Sequence, residues 1–145
     1  MSLPYQSADL ILKLYDLRRE AKMREARQWF IGFTPDSLDE LLDTMKGPHN
    51  ADFRMVATYW DMAASLVLNG AIDEQMFVDA NAEHVAVFAK VEPFLAGYRE
   101  KAGVPHYLKN LEQLVMRLPN AKERLAATRE RLRALALARA QAART

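Results

Sequence analysis

At 145 residues, with 50% hydrophobic and 27% charged residues, the chain has the composition of one globular domain, not of a disordered or membrane-spanning protein. It has no cysteine, which excludes disulfides and thiolate metal sites. Its first residues lack the basic start of a secretory signal, so we expect a cytoplasmic protein without a transmembrane segment. The charge is uneven, because residues 117–145 carry +6 and the rest carries −5.

Hydrophobic residues recur at helical spacing almost throughout, and the alternating runs typical of strands are missing. The sequence therefore predicts an all-α fold, a bundle of about five to six helices. The first helix should begin after Ser7, whose hydroxyl can cap the first turn. Its apolar face shifts along its length, from a stripe that starts at Leu10 to a second, rotated stripe that ends at Phe33. A short helix follows Thr34–Pro35 and ends at Gly47.

The helix predicted over residues 51–69 is the most apolar of the chain. Met55 and Met62 belong to a second apolar face, and we interpret them as core residues. A helix with so narrow a polar strip is expected at the centre of the bundle. The main apolar face consists of Phe53, Val56, Ala57, Trp60, Ala63, Ala64 and Val67. Asp61, in the polar strip, is expected to be solvated or paired with an arginine.

The turn at Asn69–Gly70 is interpreted as a corner between two packed helices. Gly70 lies where a helix end needs a left-handed residue, and Asp73 lies where the next helix needs a cap. The acidic start of that next helix disfavours a DNA-reading elbow.

A fourth helix is predicted from Asp73 towards Gly103, with a bend at Pro93, and a fifth ends near Pro119. Strong helix formers then predict a long basic helix at the C-terminal end. Residues 1–119 are expected to form the bundle domain. Residues 120–145 are either part of this domain or a dimerisation arm.

Part of the chain carries a recognisable pattern. It consists of Tyr59–Trp60 before the apolar run, the NGAID segment at Asn69–Asp73, Pro93–Arg99, and the LE-x-L segment at Leu111–Leu114. Over about residues 50–115 this pattern resembles a family of uncharacterised bacterial helical proteins, a domain of unknown function. The resemblance implies an all-helical fold and no activity, so it transfers no catalytic residue.

Five residues form a candidate structural or anion site. Arg99 lies at the edge of an apolar helix face, and Glu112 borders the core face of the next helix. One interpretation is an ion pair that fixes the register of these two helices. The other is an anion-binding arginine in a cavity lined by His84, Trp60 and Tyr98.

The three histidines do not indicate a metal site. No histidine has a glutamate three residues before it, as the di-iron helical proteins require. We interpret His84, on an apolar face, as a hydrogen-bonded core histidine. The sequence therefore indicates no metal, no cofactor and no catalytic residue.

The last helix carries leucines edged by arginines, a pattern typical of packed helix pairs. It has no aromatic residue, which disfavours nucleic-acid and membrane-surface binding. The candidate interaction residues are Leu118, Leu125, Leu132, Leu135, Arg124, Arg129, Arg131 and Arg133.

The preferred hypothesis is a non-catalytic protein–protein interaction module that forms a homodimer or binds another protein through this helix. One alternative is a bundle that binds a small ligand or anion with Arg99 and His84. The other is nucleic-acid association through the basic C-terminal helix.

Overall fold

A computed structural model describes residues 2–145, and within them every regular element is a helix and none is a strand. The predicted all-α class is confirmed. The predicted count of five to six helices is wrong, because the described residues form nine α-helices. These are α1 (Pro4–Leu17), α2 (Ala21–Gly32), α3 (Leu38–Lys46), α4 (Asn50–Leu68), α5 (Glu74–Ala80), α6 (Glu83–Val91), α7 (Leu95–Ala102), α8 (Lys109–Val115) and α9 (Ala121–Arg144).

The predicted first helix is divided into α1 and α2. Glu20 has extended backbone angles, and its carboxylate accepts a hydrogen bond from the Met23 N–H, which starts a new helix. Ser7 is not a helix cap, since α1 begins at Pro4. Its buried hydroxyl oxygen instead accepts the Asp73 N–H at 2.9 Å and joins α1 to the start of α5.

The predicted fourth helix is divided twice. Asn81 has extended backbone angles at the end of α5, and both its main-chain N–H and its side-chain amide donate to the Phe77 carbonyl. A short 3₁₀ turn at Glu92–Phe94, which contains Pro93, separates α6 from α7. Two local chain breaks therefore make three helices from one apolar pattern.

Helix α4 contacts α2, α3, α5, α6 and α8, and it buries the same seven residues that the apolar pattern predicts for its main face. The second apolar face behaves differently. Met55 and Met62 are exposed, so their interpretation as core residues is wrong. These two side chains line an open groove beside Leu17 and Tyr59.

The corner interpretation of residues 69–73 is confirmed. Gly70 has a left-handed backbone, with φ +83°, and Asp73 accepts the Met76 N–H at 2.9 Å as the cap of α5. No helix within residues 2–145 has both the length and the apolarity to cross a membrane.

Helix α6 is almost completely enclosed, since five consecutive residues from Val87 to Val91 are buried. Helix α9 packs along it. Leu125 is buried in this contact, and Arg129 donates to the Ala89 carbonyl at 3.0 Å and to Glu92 at 3.2 Å. Beyond Arg133, α9 is exposed except for a half-buried Ala136.

Candidate functional site

The five residues of the predicted structural or anion site lie in two separate groups. Arg99 and Glu112 contact each other, and Tyr98 packs against Tyr107 in the same group. His84 and Trp60 pack against each other and against Phe77. The contacts therefore do not assemble a single cavity that holds Arg99 beside His84.

Arg99 joins the end of α7 to the turn before α8. Its Nε and Nη2 donate to the Tyr107 carbonyl at 2.9 and 2.6 Å, and Nη2 lies 3.0 Å from a Glu112 carboxylate oxygen. The Tyr107 hydroxyl is buried without a hydrogen-bond partner, and burial raises its pKa. We call Arg99, Tyr107 and Glu112 the Arg99 cluster. In this cluster the Nε and Nη2 groups of Arg99 are engaged by the Tyr107 carbonyl and Glu112.

Trp60 belongs to a polar contact at the start of α6 that the sequence reading missed. Its Nε1 donates to Glu83 at 2.9 Å, and Arg27 approaches the same carboxylate with three N–O distances of 2.8 to 3.1 Å. The hydrogen bond to Glu83 raises the pKa of Arg27. No sequence spacing pairs Arg27 with Glu83, because 56 residues separate them.

His84 is only 1% exposed and lies between the rings of Trp60 and Phe77, at centroid distances of 5.9 and 5.0 Å. The expected core position of His84 is confirmed, but its Nδ1 is buried without a hydrogen-bond partner, so the expected hydrogen bond is not formed there. Burial lowers the pKa of His84 to about 4, and the ring is therefore neutral at pH 7.

A cavity of about 230 Å³ lies between the start of α6 and the first half of α9, and His84 is among its lining residues. No side chain caps the N-terminus of α6, which forms part of the wall. We call this the His84 cavity. The other polar side chains that line it are Asn81, Arg124, Thr128 and Arg131.

The predicted interaction residues of α9 have different surroundings. Leu125 is buried, Leu118 and Leu132 are half-buried, and Leu135 is 46% exposed. Arg129 pairs with Glu92, and Arg133 pairs with Asp36 at 2.8 Å.

Arg124 and Arg131 take part in none of the ion pairs formed within residues 2–145. Together with Thr128 they occur at positions i, i+4 and i+7, a spacing that puts all three on one face of α9. This spacing is the sequence signal that could have identified the α9 side of the His84 cavity.

The arrangement suits anion binding better than acid–base or metal chemistry. Two arginines outside the ion pairs of residues 2–145, a threonine and the uncapped start of α6 line a concave space. The described residues contain no group of three histidine, aspartate or glutamate side chains that could hold a metal ion. Asp61 is half-buried and belongs to no ion pair formed within residues 2–145, so it is not paired with an arginine, and its carboxylate accepts the Leu111 N–H at 2.9 Å.

Residues 5–118 match the model of a protein family described as a domain of unknown function, DUF4760. The chain belongs to this family. The DUF4760 match is wider than the resemblance seen over about residues 50–115, since it includes α1 and α2, and it ends before α9. Neither the curated proteins nor the solved structures contain a significant match to the chain.

Proposed function

We propose that this protein is a non-catalytic binding protein whose His84 cavity holds a small oxyanion, such as a phosphate or a phosphomonoester group. The observation that carries the proposal is a cavity lined by two arginines that belong to no ion pair formed within residues 2–145, beside a buried histidine whose Nδ1 has no partner. Buried polar atoms in folded proteins normally have partners, so an orphaned one calls for an explanation.

A tetrahedral oxyanion matches the donors around this cavity. Each guanidinium offers a planar fork of N–H groups, and the uncapped start of α6 offers main-chain N–H groups at the positive end of a helix dipole. The Thr128 hydroxyl adds a donor, and a neutral imidazole can donate from one of its two nitrogens. The volume of about 230 Å³ accommodates a phosphate with a small substituent.

The charge distribution supports an anion over a cation. Arg124 and Arg131 both line the cavity, whereas Glu83, at the start of α6, is engaged by Arg27 and Trp60. The amide dipoles of α6 add to the positive potential. A bound anion would therefore meet no free carboxylate among the residues that line the cavity.

Titration with inorganic phosphate tests this proposal. Calorimetry at constant ionic strength should give saturable binding that weakens about tenfold in Arg131→Ala and in Arg124→Ala, since each removes a charge-assisted contact. Arg133→Ala is the matched control, because it removes the same charge from the same helix but from a residue paired with Asp36. Equal affinity in all four proteins, or no saturable binding, would contradict the proposal.

A second proposal is self-association through the outer half of α9. Leu135 and Leu137 are 46% and 60% exposed there, on different faces of the helix because they are two residues apart, so either face can supply an apolar contact. The test is light scattering on the full chain and on a Leu135→Asp, Leu137→Asp variant. Truncation at Pro119 is a poorer test, because it removes the buried Leu125. A full-length monomer at micromolar concentration would contradict self-association.

A further inference from the structure

On the other flank of α6, a second cavity is built around a buried lysine. It has a volume of about 150 Å³ and lies between α2, α4, α6 and α9. Phe30, Val56 and Leu132 contribute apolar walls, and Arg27, Glu83 and Lys90 contribute polar groups. A space of this size takes one aromatic ring or a short branched chain.

The positive charge of Lys90 has acceptors but no counter-charge. Its Nζ donates to the Phe30 and Ile31 carbonyls at 2.6 and 3.1 Å, which satisfies two of its three N–H groups. Lys90 is 7% exposed and belongs to no ion pair formed within residues 2–145. Buried charges are normally paired, so the remaining N–H of this ammonium is available to an anion.

The neighbouring charges do not supply that anion. Glu83 lines the same cavity, but its carboxylate is occupied by the Arg27 guanidinium and by Trp60 Nε1. Burial, with a smaller contribution from the positive charge of Arg139 on α9, lowers the pKa of Lys90 to about 8. The cavity thus combines apolar walls with a net positive charge.

The capping of α2 by Lys90 does not by itself explain the cavity. The ammonium donates to carbonyls in the last turn of α2, where a cation is favourable. A long side chain can reach such carbonyls from solvent, with its charged end hydrated. Here the amine is instead buried against the Phe30 carbonyl, and Lys90 lines a space that the surrounding side chains leave unfilled.

We propose that this cavity binds a small monocarboxylate, with the apolar part of the ligand between Phe30, Val56 and Leu132 and its carboxylate on the free N–H of Lys90. The apolar walls favour a ring or a short branched chain over a bare ion. The site is distinct from the His84 cavity, because it has different lining side chains apart from the shared Ala86.

Benzoate is the probe, and benzamide is its neutral control of nearly the same shape. Titration followed by amide NMR shifts should show saturable binding of benzoate at residues of α2 and α6, and at least tenfold weaker binding of benzamide. Lys90→Gln, which keeps a hydrogen-bond donor but removes the charge, should weaken benzoate binding about tenfold.

Two further variants keep the test decisive. Leu132→Trp fills the cavity from α9 without changing a charge, and it should abolish benzoate binding even if Lys90→Gln does not fold. Arg124→Ala, in the wall of the His84 cavity, should leave benzoate binding unchanged, so the two proposals can fail separately. Equal binding of benzamide and benzoate, or benzoate binding that survives Leu132→Trp, would overturn the inference.

Discussion

The Arg99 cluster and the His84 cavity differ in how their arginines are engaged. In the cluster, the guanidinium donates twice to the Tyr107 carbonyl and pairs with Glu112. Each region also contains a buried polar atom without a partner, the Tyr107 hydroxyl in the cluster and the Nδ1 of His84 beside the cavity. Arg124 and Arg131, which line the same cavity, belong to no ion pair formed within residues 2–145.

This difference separates a structural role from a binding role. A cation whose donors are used by the protein stabilises the fold and has little left to offer a ligand. Donors that face a cavity without acceptors retain their capacity to bind, and a buried atom without a partner costs free energy until a ligand supplies one. An arginine in α7 therefore stabilises the fold, whereas the two arginines of α9 that line the cavity remain able to bind a ligand.

The largest expected effect comes from removing the packing that holds α9 against α6. Leu125 is 1% exposed, and Leu125→Ala should lower the free energy of unfolding by about 3 kcal/mol through lost burial and the resulting void. Phosphate binding should weaken as well, because α9 carries two arginines of the cavity wall. Urea unfolding and phosphate titration measure the two effects.

Leu135→Ala is the control for this prediction. It makes the same change on the same helix at a side chain that is 46% exposed, so it should change stability by less than about 0.5 kcal/mol. If both alanine variants lose the same stability, α9 does not pack on α6 as described.

Arg99 and Arg131 should give opposite results in stability and in binding. Arg99→Ala leaves the Tyr107 carbonyl without its donors and should cost about 2 kcal/mol, with phosphate binding unchanged. Most of this loss comes from the hydrogen bonds, because Glu112 is partly exposed and its ion pair is screened.

Arg131→Ala should leave thermal stability within about 0.5 kcal/mol of the parent and weaken phosphate binding. Thermal unfolding with and without phosphate measures both quantities for both variants. Weaker phosphate binding in Arg99→Ala would place the anion at the Arg99 cluster instead.

The pH dependence of stability should reveal the unpartnered histidine. Burial lowers the pKa of His84 to about 4 in the folded state, whereas an unfolded histidine titrates near 6.5. Between these values the unfolded state binds the extra proton, so stability falls as the pH falls. From pH 7.5 to 5 the loss should be about 2 kcal/mol.

His84→Leu removes this titration and keeps an apolar side chain beside Trp60 and Phe77. The unfolding free energy of the parent minus that of the variant should therefore decrease as the pH falls through this range. A constant difference would show that His84 titrates alike in the folded and unfolded states.

The features that the sequence predicted correctly depend on neighbours along the chain. The apolar face of α4 follows from helical spacing, and the corner follows from Gly70 and Asp73. Breaks in continuous patterns were missed, as at Glu20 and Asn81, because residues that tolerate a helix interior adopt extended angles there.

Most ion-pair partners of the charged side chains could not be predicted from the sequence. Arg27 pairs with Glu83 and Arg129 with Glu92 across long chain separations, which depend on how helices pack. The Arg99–Glu112 contact joins helices close in sequence, where a short turn restricts the choice of partner. Met55 and Met62 are likewise exposed because no other helix covers that side of α4, and the spacing of hydrophobic residues does not show which sides of a helix are covered.

Lys90 gives the smallest expected effect and lies between the two cases compared above, because its amine has acceptors but no counter-charge. Burial lowers its pKa to about 8 in the folded state, and an unfolded lysine titrates near 10.4. Between these values the unfolded state holds more protons, so stability rises with pH. The gain from pH 7 to 9 should be about 1 kcal/mol, and Lys90→Met should lack it.

Tyr59, whose pKa burial raises to about 12, opposes the gain only above about pH 10, where unfolded tyrosine ionises. Urea unfolding of both proteins at pH 7, 8 and 9 measures the gain. Parallel curves for parent and variant would mean that the Lys90 ammonium already has a compensating charge in the folded protein.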